Sequence, residues 1–292
     1  MKKIAFLLLL ILANKGAFSQ ADTDIFIFQL MLNDEEIALT DGKNVTKQKG
    51  YDNQPSFFND VELYYTSATK EGQTEIFSVR VDKLKTKQRT KTVESEYSPM
   101  LIPNSEHFSV IQVEQDGTQR LWKFPIKGKE KPSVILENVK PVGYHVWNGA
   151  NHLAMFVLGQ PNTLQTANVS VQETKILVEN IGRCFKNVPD SELVSFVHKI
   201  SENNWEVKSL DIKTGEIKSL VPTLEGREDY AWVSGNTLIM GKGSKLFKYS
   251  VGIDGEWQEV GDLSMFGIYD FNRLAVSPNK KYLAVVATDF DE

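Results

Sequence analysis

The chain repeats itself about every 44 residues: a polar turn, an alternating apolar strand, a second turn and another strand. The turns read Asn59-Asp60, Asn104-Ser105, Asn148-Gly149, Asp190-Ser191, Gly235-Asn236 and Asn279-Lys280, so successive ones lie 45, 44, 42, 45 and 44 residues apart. A strand-built period of about 40 to 50 residues marks blades set around an axis, because one small sheet cannot bury its faces without neighbours. The repeat predicts an all-β fold, a six-bladed β-propeller, with seven blades or a misread sandwich as the alternatives.

Each unit can be read strand by strand. Apolar and β-branched runs follow the turns at 61–67, 107–113, 152–158, 193–199, 237–240 and 282–288. Hairpin signals come next at Glu71-Gly72, Asp116-Gly117, Pro161-Asn162, Asn203-Asn204 and Gly241-Lys242-Gly243, where tight turns need residues that tolerate positive φ. Third strands fall at 76–81, 121–126, 164–169, 205–212 and 246–253, and a more polar fourth strand ends each blade. The ends of the chain complement each other. Residues 24–32 and 36–44 read as a third and fourth strand with no first or second, whereas 271–277 and 282–288 read as a first and second with nothing after. Joined, they make a sixth blade that closes the ring by pairing the N- and C-terminal strands and leaves no open sheet edge.

Residues 1–19 read as a signal peptide. Lys2 and Lys3 precede an apolar run of ten residues, and Ala17-Phe18-Ser19 supplies a small-residue cleavage site. That run is shorter than the ~20 apolar residues that span a bilayer, and no second long apolar stretch follows. Residues 20–292 then form a single propeller domain, exported to a periplasmic or extracellular location. Cleavage removes three lysines and leaves 30 basic against 38 acidic side chains, a net charge of −8. Such a balance gives no global attraction to nucleic acid or to an anionic membrane. Cys184 is the only cysteine, so neither an internal disulfide nor a thiolate zinc site is expected, and a buried apolar role suits it.

The stretch from Leu274 through Ser277-Pro278-Asn279-Lys280-Lys281 to Val285 resembles the Ser-Pro-Asp-Gly-Lys repeat of TolB-type six-bladed propellers, with Asn279-Lys280 in place of Asp-Gly. Pro55-Ser56-Phe57 running to Ile76-Phe77-Ser78-Val79 is similar to the same repeat, as is Pro103-Asn104-Ser105-Glu106. The resemblance covers most of 24–289 and implies a structural repeat with no catalytic residues. TolB itself carries an added N-terminal domain that meets other envelope proteins. No counterpart to it is read in this sequence, so a translocation role is not expected.

Other constellations have plainer explanations. Gly235 to Gly243 approaches a phosphate-binding loop, but the glycine spacing is one residue too long and Gly243 stands where Ser or Thr would hold magnesium. His107, His145, His152 and His198 lack metal-ligand spacing, and no Gly-x-Ser-x-Gly elbow occurs, so no metal, cofactor or serine-hydrolase site is expected. Lys83, Lys85, Lys87, Arg89 and Lys91 recur at period two along an expected outermost strand, which suits edge protection or a docking strip for an acidic partner. Asn44-Val45-Thr46 and Asn168-Val169-Ser170 fit the glycosylation pattern by chance, and the acidic tail 289–292 lacks calcium-loop spacing.

The mouth of the ring remains the default site, because innermost strands line the axial channel of a propeller. Counting back from each turn selects Tyr51 and Asp52, Glu96 and Tyr97, Tyr144 and His145, Arg183 and Lys186, Asp229 and Tyr230, and Tyr269 and Asp270. Of these, Tyr51, Asp52, Glu96, Tyr97, His145, Lys186, Asp229, Tyr230 and Asp270 are the candidate ligand-binding residues. Aromatic rings beside carboxylates suit a peptide or a sugar. The expected function is non-catalytic binding or scaffolding of an envelope protein or glycan. The alternatives are a polysaccharide lyase or hydrolase working from channel carboxylates, or a propeller fragment of a longer peptidase or sensor.

Overall fold

The computed structural model describes residues 22–33 and 36–288. The expected signal peptide at 1–19 and the acidic tail at 289–292 lie outside the described residues. Six antiparallel four-stranded sheets form the blades of a propeller. The first blade is built from both ends of the chain: β1 (Asp24–Leu32) and β2 (Ile37–Asn44) join the last two strands, β23 (Phe271–Val276) and β24 (Tyr282–Ala287), in the order β2-β1-β24-β23. The second blade is β3 (Asp52–Phe57), β4 (Glu62–Ala68), β5 (Thr74–Arg80) and β6 (Lys85–Gln88); the third is β7 (Ser95–Leu101), β8 (His107–Val113), β9 (Gln119–Pro125) and β10 (Ser133–Val134). The fourth holds β11 (Val142–Asn148), β12 (His152–Val157), β13 (Thr163–Asn168) and β14 (Glu173–Glu179), and the fifth β15 (Ile181–Asn187), β16 (Leu193–Ser201), β17 (Asn204–Asp211) and β18 (Ile217–Pro222). The sixth comprises β19 (Tyr230–Trp232), β20 (Thr237–Lys242), β21 (Lys245–Ser250) and β22 (Gln258–Asp262), followed by a 3-10 turn at Leu263–Phe266.

Closure follows from the pattern of β1. Successive side chains of a strand point to opposite faces, and both faces of this strand are apolar. Ile25 and Ile27 pack with Leu63, Tyr65 and Val79 of the second blade. Phe26, Phe28 and Leu30 pack with Ile239, Leu246 and Phe271 on the other side, towards the sixth. β1 pairs antiparallel with β24 from Asp24↔Ala287 to Gln29↔Tyr282, so the two ends of the chain share one sheet and one core.

The polar turns that set the repeat are held by side chains. Asn59 Oδ1 accepts from the Val61 and Glu62 amides at 3.1 and 2.9 Å, and Ser277 Oγ accepts from Lys281 and Tyr282 at 3.1 and 3.0 Å while donating to Asn279 Oδ1 at 2.7 Å. Local side-chain acceptors of this kind replace ladder bonds where the chain reverses. Between blades, a serine on a second strand meets two polar side chains from the next innermost strand. Ser195 Oγ accepts from Tyr230 Oη and Trp232 Nε1, both at 2.8 Å, and Ser109 Oγ accepts from Trp147 Nε1 at 2.8 Å and meets His145 Nε2 at 2.6 Å.

The Gly241-Lys242-Gly243 run is a hairpin between β20 and β21 in which Lys242 pairs with Lys245 and Gly243 turns at φ 62°. A Cβ on Gly241 would lie 2.5 Å from a ring carbon of buried Phe271, so close packing accounts for that glycine. The lysine run is shorter as a strand than its spacing suggests. Only residues 85–88 form β6, while Arg89 folds inward to Glu62, donates to Ser78 Oγ at 2.7 Å and stacks over Tyr64 at 4.9 Å.

Candidate functional site

The innermost strands β3, β7, β11, β15 and β23 all shift register part-way along: between Asn53 and Ser56, Tyr97 and Met100, Val142 and Tyr144, Ile181 and Phe185, and Asn272 and Ala275. At three of these bulges a non-glycine residue is left-handed, Gln54 (φ 57°), Ser98 (φ 53°) and Arg273 (φ 52°). A bulge bends the strand and re-aims its side chain, and left-handed non-glycine residues cluster where surrounding structure over-determines them. Pro55 and Pro99 follow two of them. Proline has no N–H to give a ladder, so it is confined to edges and bulges, and it was the signal available in the sequence for these positions.

The bulged segments surround a cavity of about 80 Å³ on the axis, with Gln54, Ser98, Tyr144, Arg183, Lys186, Asp229 and Arg273 in its wall. Arg273 organises it. Its guanidinium donates to Tyr144 Oη at 2.9 Å, stacks on that ring at 4.8 Å and sits 3.5 Å from Asp229 Oδ1, although its side chain is only 11% exposed. Burial works against this charge, and Asp229, Tyr144 and Tyr51 hold it protonated. Arg183 lies 2.8 Å from Glu228 and 4.0 Å from Asp229, and Lys199 lies 3.1 Å from Glu228. The Lys186 ammonium donates to the Leu274 carbonyl at 2.8 Å, and among the described residues no carboxylate pairs with it. Three cations, Arg183, Lys186 and Arg273, thus meet one carboxylate, Asp229, in the cavity wall of an acidic protein.

Tyr51 and Tyr97 stand beside this cluster, their rings edge to face at 6.4 Å. Burial raises the Tyr51 hydroxyl well above its ordinary range, and Tyr144, Arg273, Tyr97 and Arg183 all act on it electrostatically, which sets the three tyrosines and two arginines at one place.

The remaining candidates lie elsewhere. Glu96 is fully buried between the second and third blades, where it accepts from Thr92 Oγ1 at 2.6 Å, Gln112 Nε2 at 3.0 Å and Thr90 Oγ1 at 3.2 Å, beside buried Glu75. Burial, and then the second carboxyl, push its pKa up to about 8. Asp52 is also fully buried; it accepts from Gln48 Nε2 at 3.2 Å, and burial raises it to about 6. Tyr230 is a buried interblade donor, and His145, bound to Ser109, is pushed down to about 3 by burial and is neutral. Asp270 pairs with Arg227 outside the cavity, and Tyr269 is 59% exposed. Cys184 is buried and its thiol rises to about 11. Among the described residues no cluster of His, Cys, Asp and Glu could hold a metal ion, and no helix is long and apolar enough to cross a membrane.

The architecture can now be compared with known structures. A protein assigned as TolB from Agrobacterium tumefaciens superimposes with a TM-score of 0.70 at 10% identity, over 91% of this chain and 98% of that one. The fold is that of a TolB-like six-bladed propeller. TolB from Acinetobacter baumannii gives 0.57 at 12% identity over 92% of this chain, and a puromycin-hydrolyzing peptidase from Mycobacterium tuberculosis gives 0.52 at 11% over 80%. This chain spans 64% and 45% of those two proteins. No protein-family model matches the sequence, and no curated protein matches it either.

Proposed function

We propose that this protein is an exported propeller that binds a protein partner of the cell envelope at its channel mouth and leaves that partner chemically unchanged. The observation that carries the reading is the gathering of Tyr51, Tyr97, Tyr144, Arg183 and Arg273 at one end of a TolB-like propeller. Tyrosine and arginine are the side chains that anchor protein interfaces. A glycan is less well served, because it needs an open aromatic face and the Tyr144 ring is already engaged by Arg273 and by Phe156, the latter edge to face at 5.9 Å. Of the four carboxylates that an enzyme would use, Asp229 pairs with Arg273 and Asp270 with Arg227, while Glu96 and Asp52 are fully buried away from the cavity.

The likeness to the mycobacterial peptidase supports a second reading, in which this propeller is part of a longer hydrolytic protein. In-cell photocrosslinking from position 97 decides between them. The expected result is one dominant adduct with an envelope protein that is absent when the crosslinker sits at exposed Ile253. Absence of an adduct together with hydrolysis of peptides or envelope polysaccharide by the purified chain would overturn the binding reading.

A further inference from the structure

We infer that the axial cavity is a carboxylate receptor, and that the group it takes is a carboxylate carried by a peptide segment of the partner. The inference rests on the protein-binding reading above for its source of ligand, but its chemistry is carried by the cavity alone. Arg273 has five N–H donors, of which one reaches Tyr144 and one faces Asp229, so its fork retains donors for a planar two-oxygen acceptor. Lys186 adds a cation whose partner among the described residues is a carbonyl.

Size and charge narrow the occupant. At about 80 Å³ the cavity is smaller than the ~300–1,000 Å³ pockets that enclose whole drug-sized ligands, so it suits one group of a larger partner. The cations outnumber the carboxylates there, so an anion is taken out of water at lower cost than a neutral group. The left-handed backbone of Ser98 and Arg273 presents the receptor before a ligand arrives, which removes part of the ordering cost of binding.

The test uses isothermal titration and NMR shifts of the full mature chain with three short probes. These are Ac-Ala-Ala-Ala-OH, which has a terminal carboxylate; Ac-Ala-Ala-Glu-NH2, which has a side-chain carboxylate; and Ac-Ala-Ala-Gln-NH2, which has neither. Saturable binding of either acid with the neutral amide about tenfold or more weaker is expected, and the stronger acid identifies the source of the group. Arg273→Gln and Lys186→Met should each weaken the acid by about ten- to a hundredfold, and Lys186→Met, at a half-buried site, tests the idea even if Arg273→Gln fails to fold. Equal binding of acid and amide, or inorganic phosphate binding more tightly than acetate, would overturn the carboxylate assignment. Loss of acid binding with the cellular adduct intact sinks this inference alone; acid binding without an adduct sinks the partner reading alone.

Discussion

Glu96 is a carboxyl that folding has removed from water and placed beside a second one, so its proton is part of the native state. Its folded pKa, about 8, lies above the ordinary value of 4.5, so the folded chain binds more protons than the unfolded chain between those limits. Stability therefore falls as pH rises from about 4.5 through about 8, with Asp52 acting in the same sense at lower pH, up to about 6. Thermal midpoints measured across pH 5 to 9, on the order of the linkage window, should show this decline, and Glu96→Gln should flatten its upper part. A second expectation concerns Gly241: alanine there forces the Phe271 ring to move and should cost about 1–3 kcal/mol in urea unfolding. At this scale the sequence was only half legible. Consecutive residues on a strand point to opposite faces, so counting back to Tyr51-Asp52 or Glu96-Tyr97 selects one side chain for the channel cluster and one for the blade interface. Arg273, the residue that organises the cavity, was missed because it sits within a bulge that breaks that alternation.

The elements were read closely where turn chemistry and hydrophobic alternation agree. β8 was expected at 107–113 and found there, and β24, β12 and β16 differ from expectation by one or two residues at one end. The outer strands were less legible because their partners lie on one side only: β10 has two residues and β6 four, and neither carries an apolar face. Interblade bonding was not legible at all, since Ser195 and Trp232 are 37 residues apart and nothing local marks the pair. That bonding can be tested. Ser195→Ala leaves the buried Tyr230 hydroxyl and Trp232 indole without an acceptor and should destabilise the chain by about 2–4 kcal/mol, whereas Ser191→Ala, in an exposed turn, should cost about 1 kcal/mol or less. Comparison of urea midpoints with near-UV circular dichroism of the tryptophans would separate a local loss from a global one.

For the whole molecule, the ring depends on one seam. A chain beginning at residue 45 lacks β1 and β2 and exposes the β24 edge with the apolar faces on either side of it. It should lose its cooperative thermal transition and elute as aggregate. A circular permutant that joins 288 to 22 through a short linker and opens the exposed Glu71-Gly72 turn should keep both the transition and the elution volume of the unpermuted protein, because Asp24 and Ala287 are already paired neighbours. The seam was legible because each terminus carried half of a repeat. Its consequence concerns synthesis. β1 is made long before β24, the strand it pairs with, so every nascent chain passes through a long interval as an open arc with two apolar walls uncovered. Until residue 287 arrives that arc is open to aggregation, so the time spent in that condition bears on how much of the protein folds.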